Sequence, residues 1–231
     1  MYDAPKSAMR RNLLLPCHGA WAPMLLRYQS SASVAKNHVP ALEYPRKAPH
    51  RLKMKPGYKV NEEFGLVRQM YGRLCGKEDI LEESVAWQAI TLKSYNHGRS
   101  PYNEWLALFG KRFMNVELVE YLMNRDTGSP NALNGKNMDA LGSHIVVSTL
   151  TAEKITPIAR DSGLLRVMRW IPRDPDDLPV SGEGRVALDC LHAIVGAVAM
   201  KKGYETAREI VAQRIFPTLF ATSKAATDCT E

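Results

Sequence analysis

Glu104, Ala107 and Lys111 stand at spacings i, i+3 and i+7, and Asp189 and His192 at i and i+3. On helices, each set shares one face. If the two faces meet, up to five side chains converge on one point. Carboxylates gathered in that way bind hard divalent cations through oxygen, and magnesium so held activates water and stabilises the leaving oxygen of a phosphodiester. Only Glu104 and Asp189 are carboxylates here. Ala107 offers no oxygen, Lys111 puts an ammonium about where a cation would be held, and a neutral imidazole at position 192 is a poor magnesium ligand. The expectation is a degenerate site with no catalytic residue, no bound metal and no cofactor.

Other chemistries find less support. The four cysteines, Cys17, Cys75, Cys190 and Cys229, form no C-x-x-C pair and have no regular spacing. They predict neither a zinc site nor a disulfide framework, but reduced residues of a non-secreted protein. No phosphate-cradling glycine loop, nucleophile–histidine arrangement or dinucleotide fingerprint is visible. The most apolar stretch, Leu188 to Met200, is too short to cross a bilayer and carries Asp189 and His192, so no membrane span is expected.

The elements that must position the five residues read as helices. Asn61, Glu62 and Glu63 form a plausible helix start. Phe64, Leu66, Val67, Met70, Tyr71 and Leu74 then supply a core-facing stripe up to Gly76. Further helices are predicted at about 83–94, 101–124, 136–150, 152–162, 184–202 and 204–220. Gly98-Arg99-Ser100-Pro101, Gly128-Ser129-Pro130, Gly163 and Gly203 separate them, and Asp174 to Gly184 is a loop. Leu165 to Ile171 is ambiguous, and no strand pattern of useful length appears elsewhere. The fold class is all-α, with a globular domain over 61–222 and a short tail over 223–231. Trp105, Leu106, Leu108, Phe109, Phe113 and Met114 make the helix carrying Glu104 apolar nearly all round, as for a helix buried on several sides. Gly196 is expected to permit close helix approach rather than to bind phosphate.

The net charge of +7 is unevenly placed. Residues 1–60 hold eleven Lys or Arg and two acids, Asp3 and Glu43, for +9, which leaves −2 for the remainder. The first 33 residues resemble a mitochondrial presequence. Asp3 is the one acid among them, Arg10, Arg11 and Arg27 are spread through Leu13, Leu14, Leu15, Met24, Leu25 and Leu26, and Ser30, Ser31 and Ser33 follow. Cleavage is expected near residues 27–33. A secretory signal fits worse, since its apolar core would run through Pro16, His18 and Pro23. Residues 34–60 read as an extended basic arm, in which Arg46, Lys47, Arg51, Lys53, Lys55 and Lys59 alternate with Pro40, Pro45, Pro49 and Pro56. These six basic residues are the candidate RNA contacts, because each phosphate they neutralise releases a counterion.

Thr91-Leu92-Lys93-Ser94-Tyr95 followed by Asn103-Glu104-Trp105-Leu106-Ala107-Leu108-Phe109-Gly110-Lys111 resembles the ribonuclease III signature, T-H-K-S-Y then N-E-R-L-E-F-L-G-D. Leu188-Asp189-Cys190-Leu191-His192-Ala193-Ile194-Val195-Gly196-Ala197 parallels that family's A-D-x-x-E-A-x-x-G-A, and Lys202-Gly203-Tyr204-Glu205-Thr206-Ala207 parallels the turn into its last helix. The matches occur in family order over about residues 61–220. The resemblance implies a ribonuclease-III-like helical domain whose metal-dependent RNA cleavage used acids at positions 104, 107, 111, 189 and 192. Three of them are replaced here by Ala107, Lys111 and His192, so the resemblance predicts a non-enzyme. Lys111 then either neutralises Glu104 and Asp189 in place of a metal or extends into solvent; a residual single-metal site of Asp189, Glu104 and His192 is a weaker alternative. In the family this helix lies at a dimer interface, which makes Leu108 and Phe109 candidate partner contacts.

Within the family, the import-like N-terminus, the basic arm and the lack of a double-stranded-RNA-binding domain after the last expected helix resemble the ribonuclease-III-like proteins of the fungal mitochondrial large ribosomal subunit. That resemblance implies a structural role in the mitochondrial matrix, contact with mitochondrial rRNA and other large-subunit proteins, and a second ribonuclease-III-like protein as dimer partner. Competing readings are a processing ribonuclease active only with a partner subunit, and a free RNA chaperone or splicing factor of the matrix.

Overall fold

The computed structural model describes residues 58–124, 132–142 and 148–227. The 1–33 segment, most of the 34–60 arm, Cys17 and Cys229 lie outside the described residues. Among the described residues the architecture is helical: α1 Phe64–Cys75, α2 Glu83–Ala89, α3 Glu104–Met123, a 3-10 turn over Met138–Gly142, α4 Ala152–Ser162, α5 Leu164–Val167, α6 Glu183–Lys202, α7 Tyr204–Ile210, a π turn over Val211–Ile215, and α8 Phe216–Thr227. Among the described residues only isolated bridges, such as the parallel pair Thr91 and Arg169, have strand-like pairing.

The core is organised around α6. Its residues from Val186 to Ala199 are buried, Asp189 excepted, and such all-round apolar character places a helix at the centre of a domain. Fully burying one side chain such as Ile194 or Leu191 contributes about 1.5–3 kcal/mol. The most extensive packing in the fold is between α3 and α6. Gly110 and Gly196 make that approach possible. A Cβ on Gly110 would lie 2.7 Å from the His192 carbonyl carbon and 2.9 Å from the Gly196 nitrogen, while one on Gly196 would crowd the Leu106 carbonyl and the Gly110 backbone. The two backbones therefore touch where the two candidate faces must meet.

Asn103 fixes the start of α3. It is buried, and its side-chain amide donates to the Ala89 carbonyl at 3.2 Å and approaches the Cys190 Sγ at 3.7 Å. Its backbone N–H donates to the Thr91 carbonyl at 2.9 Å. One residue thus ties α3 to the end of α2 and to α6. On the far side, the Arg208 Nε of α7 donates to both oxygens of the buried Glu117 of α3, at 3.0 and 3.2 Å.

Four sequence-based boundaries shift. The first helix begins at Phe64 rather than Asn61, because the Asn61 side chain accepts the Glu63 N–H at 3.0 Å in a turn ahead of the helix. The helix predicted to reach residue 94 ends at Ala89, since Leu92 N–H donates to the Arg169 carbonyl and Arg169 N–H to the Ile90 carbonyl, both at 2.8 Å. Of the helix predicted over 136–150, residues 143–147 lie outside the described residues, and Met138–Gly142 forms the 3-10 turn, opened by an Asn137 side chain that accepts the Asp139 N–H. The last predicted helix is interrupted by the π turn and runs on to Thr227. Pro217 has no N–H for the Gln213 carbonyl and its ring would clash there, so the widened turn immediately before it absorbs the mismatch.

Candidate functional site: a recharged cleft between two helices

Glu104, Ala107 and Lys111 of α3 and Asp189 and His192 of α6 all line one cavity of about 440 Å³. A second cavity of about 430 Å³ shares Lys111, Asp189 and His192 and extends toward Leu150 and Thr151. The faces converge as the spacing predicts. Both cavities are also lined by Arg185, and the first by Lys93; neither side chain was singled out from the sequence.

Those two cations decide the electrostatics. Lys93 Nζ lies 3.7 Å from a Glu104 carboxylate oxygen, and Arg185 Nε lies 3.6 Å from Asp189 Oδ1, one helical turn away. Burial pushes the Asp189 carboxyl above its ordinary range, while Arg185 and, more weakly, Lys111 pull it back. Lys111 is exposed and, among the described residues, makes no ion pair. Lys111 favours the charged form of Asp189 from a distance, but the ion pairs in the cleft are made by Lys93 and Arg185, so each acid has its own neighbouring cation. Arg185 reaches Asp189 because i and i+4 positions adjoin on a helix, and Lys93 reaches Glu104 because the Thr91–Arg169 pairing turns the intervening loop back onto the start of α3.

His192 is 3% exposed, and its Nε2 has no hydrogen-bond partner among the described residues. Burial, reinforced by the nearby Lys111 and Arg185 cations, lowers its pKa from 6.5 to about 4, so the imidazole is neutral at physiological pH. The thiols of Cys75 and Cys190 are free and buried, and burial pushes the first up to about 12 and the second higher still, which keeps both protonated and unreactive.

A sequence model of the family described as ribonuclease-III-like matches residues 82–219, a span that contains every wall of this cleft. The chain belongs to the ribonuclease-III-like family. Large ribosomal subunit protein mL57 of Neurospora crassa is 34% identical to this family member over 175 residues, which is 70% of this chain and 66%, just under two thirds, of the Neurospora protein. Two solved structures of the nuclease domain of ribonuclease III from Campylobacter jejuni share the fold. They have TM-scores of 0.52 and 0.51 at 19% and 18% identity, and cover 66% and 67% of this chain and 97% and 95% of theirs.

The magnesium site that ribonuclease III resemblance implies does not fit these residues. Hard cations need several oxygen donors, and Mg²⁺ demands near-octahedral geometry. This ribonuclease-III-like cleft offers two carboxylates, each beside a basic side chain, and a neutral imidazole close to Lys111 and to the same Arg185 that neighbours Asp189. Among the described residues, no three His, Cys, Asp or Glu side chains come together as a metal centre would require.

The remaining sequence-based candidates divide. Lys59 is described and exposed, whereas Arg46, Lys47, Arg51, Lys53 and Lys55 lie outside the described residues. Leu108 is 49% exposed on α3, between Trp105 at 66% and Val116 at 64%, so this helix is not buried all round. Phe109 is half-buried and packs on Tyr204 of α7, with ring centroids 6.4 Å apart. No helix among the described residues is long and apolar enough to cross a membrane.

Proposed function

We propose that this chain is a non-catalytic structural constituent of the mitochondrial large ribosomal subunit, built on a ribonuclease-III-like domain that binds rRNA and a partner protein. The observation that carries this reading is the donor set of the α3–α6 cleft, where Lys93 and Arg185 stand beside the two carboxylates and Ala107, Lys111 and His192 supply no further oxygen. Hydrolysis through two metal ions has nothing to hold the ions. The similarity to a large-ribosomal-subunit protein of Neurospora crassa supports the ribosomal assignment. The Arg- and Ser-rich, acid-poor N-terminus supports import into mitochondria.

In this reading residues 1–33 are the import signal. Residues 34–60 are an arm whose Arg46, Lys47, Arg51, Lys53, Lys55 and Lys59 neutralise rRNA phosphates, and the domain proper runs from residue 61 to the end of α8. Trp105, Leu108 and Val116, backed by Phe109, form the apolar stripe for a second ribonuclease-III-like protein.

Sedimentation tests the assignment. The tagged chain, expressed with its N-terminal segment, travels with the mitochondrial large subunit in a gradient whose magnesium keeps subunits intact. Recovery at the top of the gradient, or specific magnesium-dependent cutting of double-stranded RNA by the purified chain alone or with its partner, contradicts it.

A further inference from the structure

We propose that Arg169 is a positioning residue for the basic arm: its side chain straps the root of the arm, Tyr58 to Asn61, to the domain, so that the arm meets RNA from a fixed point. The proposal rests on the reading of residues 34–60 as the RNA-binding arm. A tail joined to its domain by a slack root would have to order that root each time it bound. Tyr58 to Asn61 are instead seated. Tyr58 is half-buried, and its ring meets the buried Trp170 edge-on, with centroids 6.4 Å apart and planes at 79°. Burial, and then the nearby Glu183 charge, push its hydroxyl up to about 12. The Asn61 carbonyl accepts a hydrogen bond from Arg169 Nε at 3.1 Å, and the Asn61 side chain bonds the Glu63 backbone in both directions, at 3.0 and 3.2 Å. Lys59, between these two anchors, is exposed.

The Arg169 guanidinium carbon lies 3.7 Å from the centroid of the Trp87 ring and 5.1 Å from that of Tyr95. Phe64, which opens α1, packs on the same Trp87 at 5.9 Å. The Arg169 side chain is not needed to hold its own segment. That segment is held by its backbone, since Arg169 N–H donates to the Ile90 carbonyl and the Arg169 carbonyl accepts the Leu92 N–H, both at 2.8 Å. Ile171 N–H adds a bond to Ser94 Oγ at 3.3 Å. The side chain reaches across to the arm root instead. Charge is not the reason for a cation there, because residues 1–60 are themselves strongly basic. A planar guanidinium stacks on aromatic rings while donating to a carbonyl, and a lysine ammonium does not reproduce that combination. Arg169 therefore acts on RNA through the arm rather than by touching a phosphate.

The test measures binding of a fluorescently labelled RNA duplex to the full chain by anisotropy, in EDTA, at one salt concentration and well below the melting temperature of every variant. Arg169→Lys keeps the charge and loses the planar stack. It should weaken binding at least about five-fold, the equivalent of ordering one backbone residue on binding. Tyr58→Ala removes the other anchor from a half-buried position and should act in the same direction. Should Arg169→Lys fail to fold, Tyr58→Ala reads the same strap. Replacing all six basic residues of the arm by glutamine should weaken binding further. On that background Arg169→Lys should add less than about two-fold, because coupled residues are not additive and the strap has nothing left to position.

Wild-type RNA affinity in a folded Arg169→Lys chain overturns the proposal whatever its melting temperature, since a merely structural contact moves stability alone. An undiminished loss from Arg169→Lys on the glutamine background also overturns it, because the residue would then act outside the arm. If the glutamine variant binds RNA as the wild type does, the arm reading fails and the strap with it. If that variant binds weakly while Arg169→Lys and Tyr58→Ala bind normally, the arm reading stands and the strap alone is refuted.

Discussion

Replacing Gly110 by alanine tests whether the cleft depends on backbone contact between α3 and α6. In an unencumbered helix interior this change stabilises by about 1 kcal/mol through helix propensity. At Gly110 the new Cβ would fall within 3 Å of the His192 carbonyl carbon and the Gly196 nitrogen. Neither is the end of a flexible side chain, so the helices themselves must separate. Overpacking of a close-packed core costs about 1–3 kcal/mol, and a rigid obstacle belongs at the upper end of that range. Offsetting about 3 kcal/mol by the propensity gain of about 1 leaves a net loss near 2 kcal/mol. For a domain of this size that lowers the melting temperature by about 4–8 °C. Thermal unfolding followed by circular dichroism reads the change. Gly65→Ala serves as control, because a Cβ there meets nothing within 4 Å and should not destabilise. If Gly110→Ala melts at or above the wild-type temperature, the helices do not touch as described, and the convergence of the five cleft residues loses its basis.

Three further outcomes follow from the same structure. The folded-state pKa of His192 lies near 4, below its ordinary 6.5, so between those pH values the unfolded chain binds a proton that the folded chain refuses. Stability should therefore fall as pH drops from 6.5 toward 4, by up to about 3 kcal/mol in urea titrations, and His192→Leu should flatten that part of the profile. Asn103→Ala leaves the Ala89 carbonyl without its buried side-chain donor and should cost about 2 kcal/mol, measured by the same titrations. Lys111→Ala should change stability by less than about 0.5 kcal/mol, because Lys111 is exposed and makes no ion pair among the described residues; a larger loss would restore it as the cation that neutralises both acids.

Convergence of the site was legible because helical spacing is periodic: positions 104, 107 and 111 share a face, as do 189 and 192, and the matching family signatures set which faces meet. Gly196 was legible for a related reason, since a glycine in an otherwise apolar helix implies close approach. Lys93 was not legible, because it reaches Glu104 from a loop whose path is set by a two-residue pairing with Arg169, distant in sequence. Arg185 lies at the usual i, i+4 distance from Asp189, yet it sits beside the Asp174 to Gly184 loop and reads as an ordinary surface charge. The exposed faces of Trp105 and Val116 were hidden by the apolar character of α3 itself, since composition does not tell a core-facing side from a partner-facing one. The π turn before Pro217 leaves the apolar pattern of 204–220 almost unchanged, so the sequence reads there as one continuous helix.

Manganese binding, followed by electron paramagnetic resonance on the full chain, tests the central claim most directly, because Mn²⁺ occupies the oxygen-rich sites that take magnesium. With basic side chains beside both cleft carboxylates, the free-ion signal should fall no further for the wild type than for an Asp189→Asn, Glu104→Gln double variant up to millimolar Mn²⁺. Saturable uptake of two ions by the wild type, abolished in that variant, would show that the cleft still gathers metal and would contradict the account.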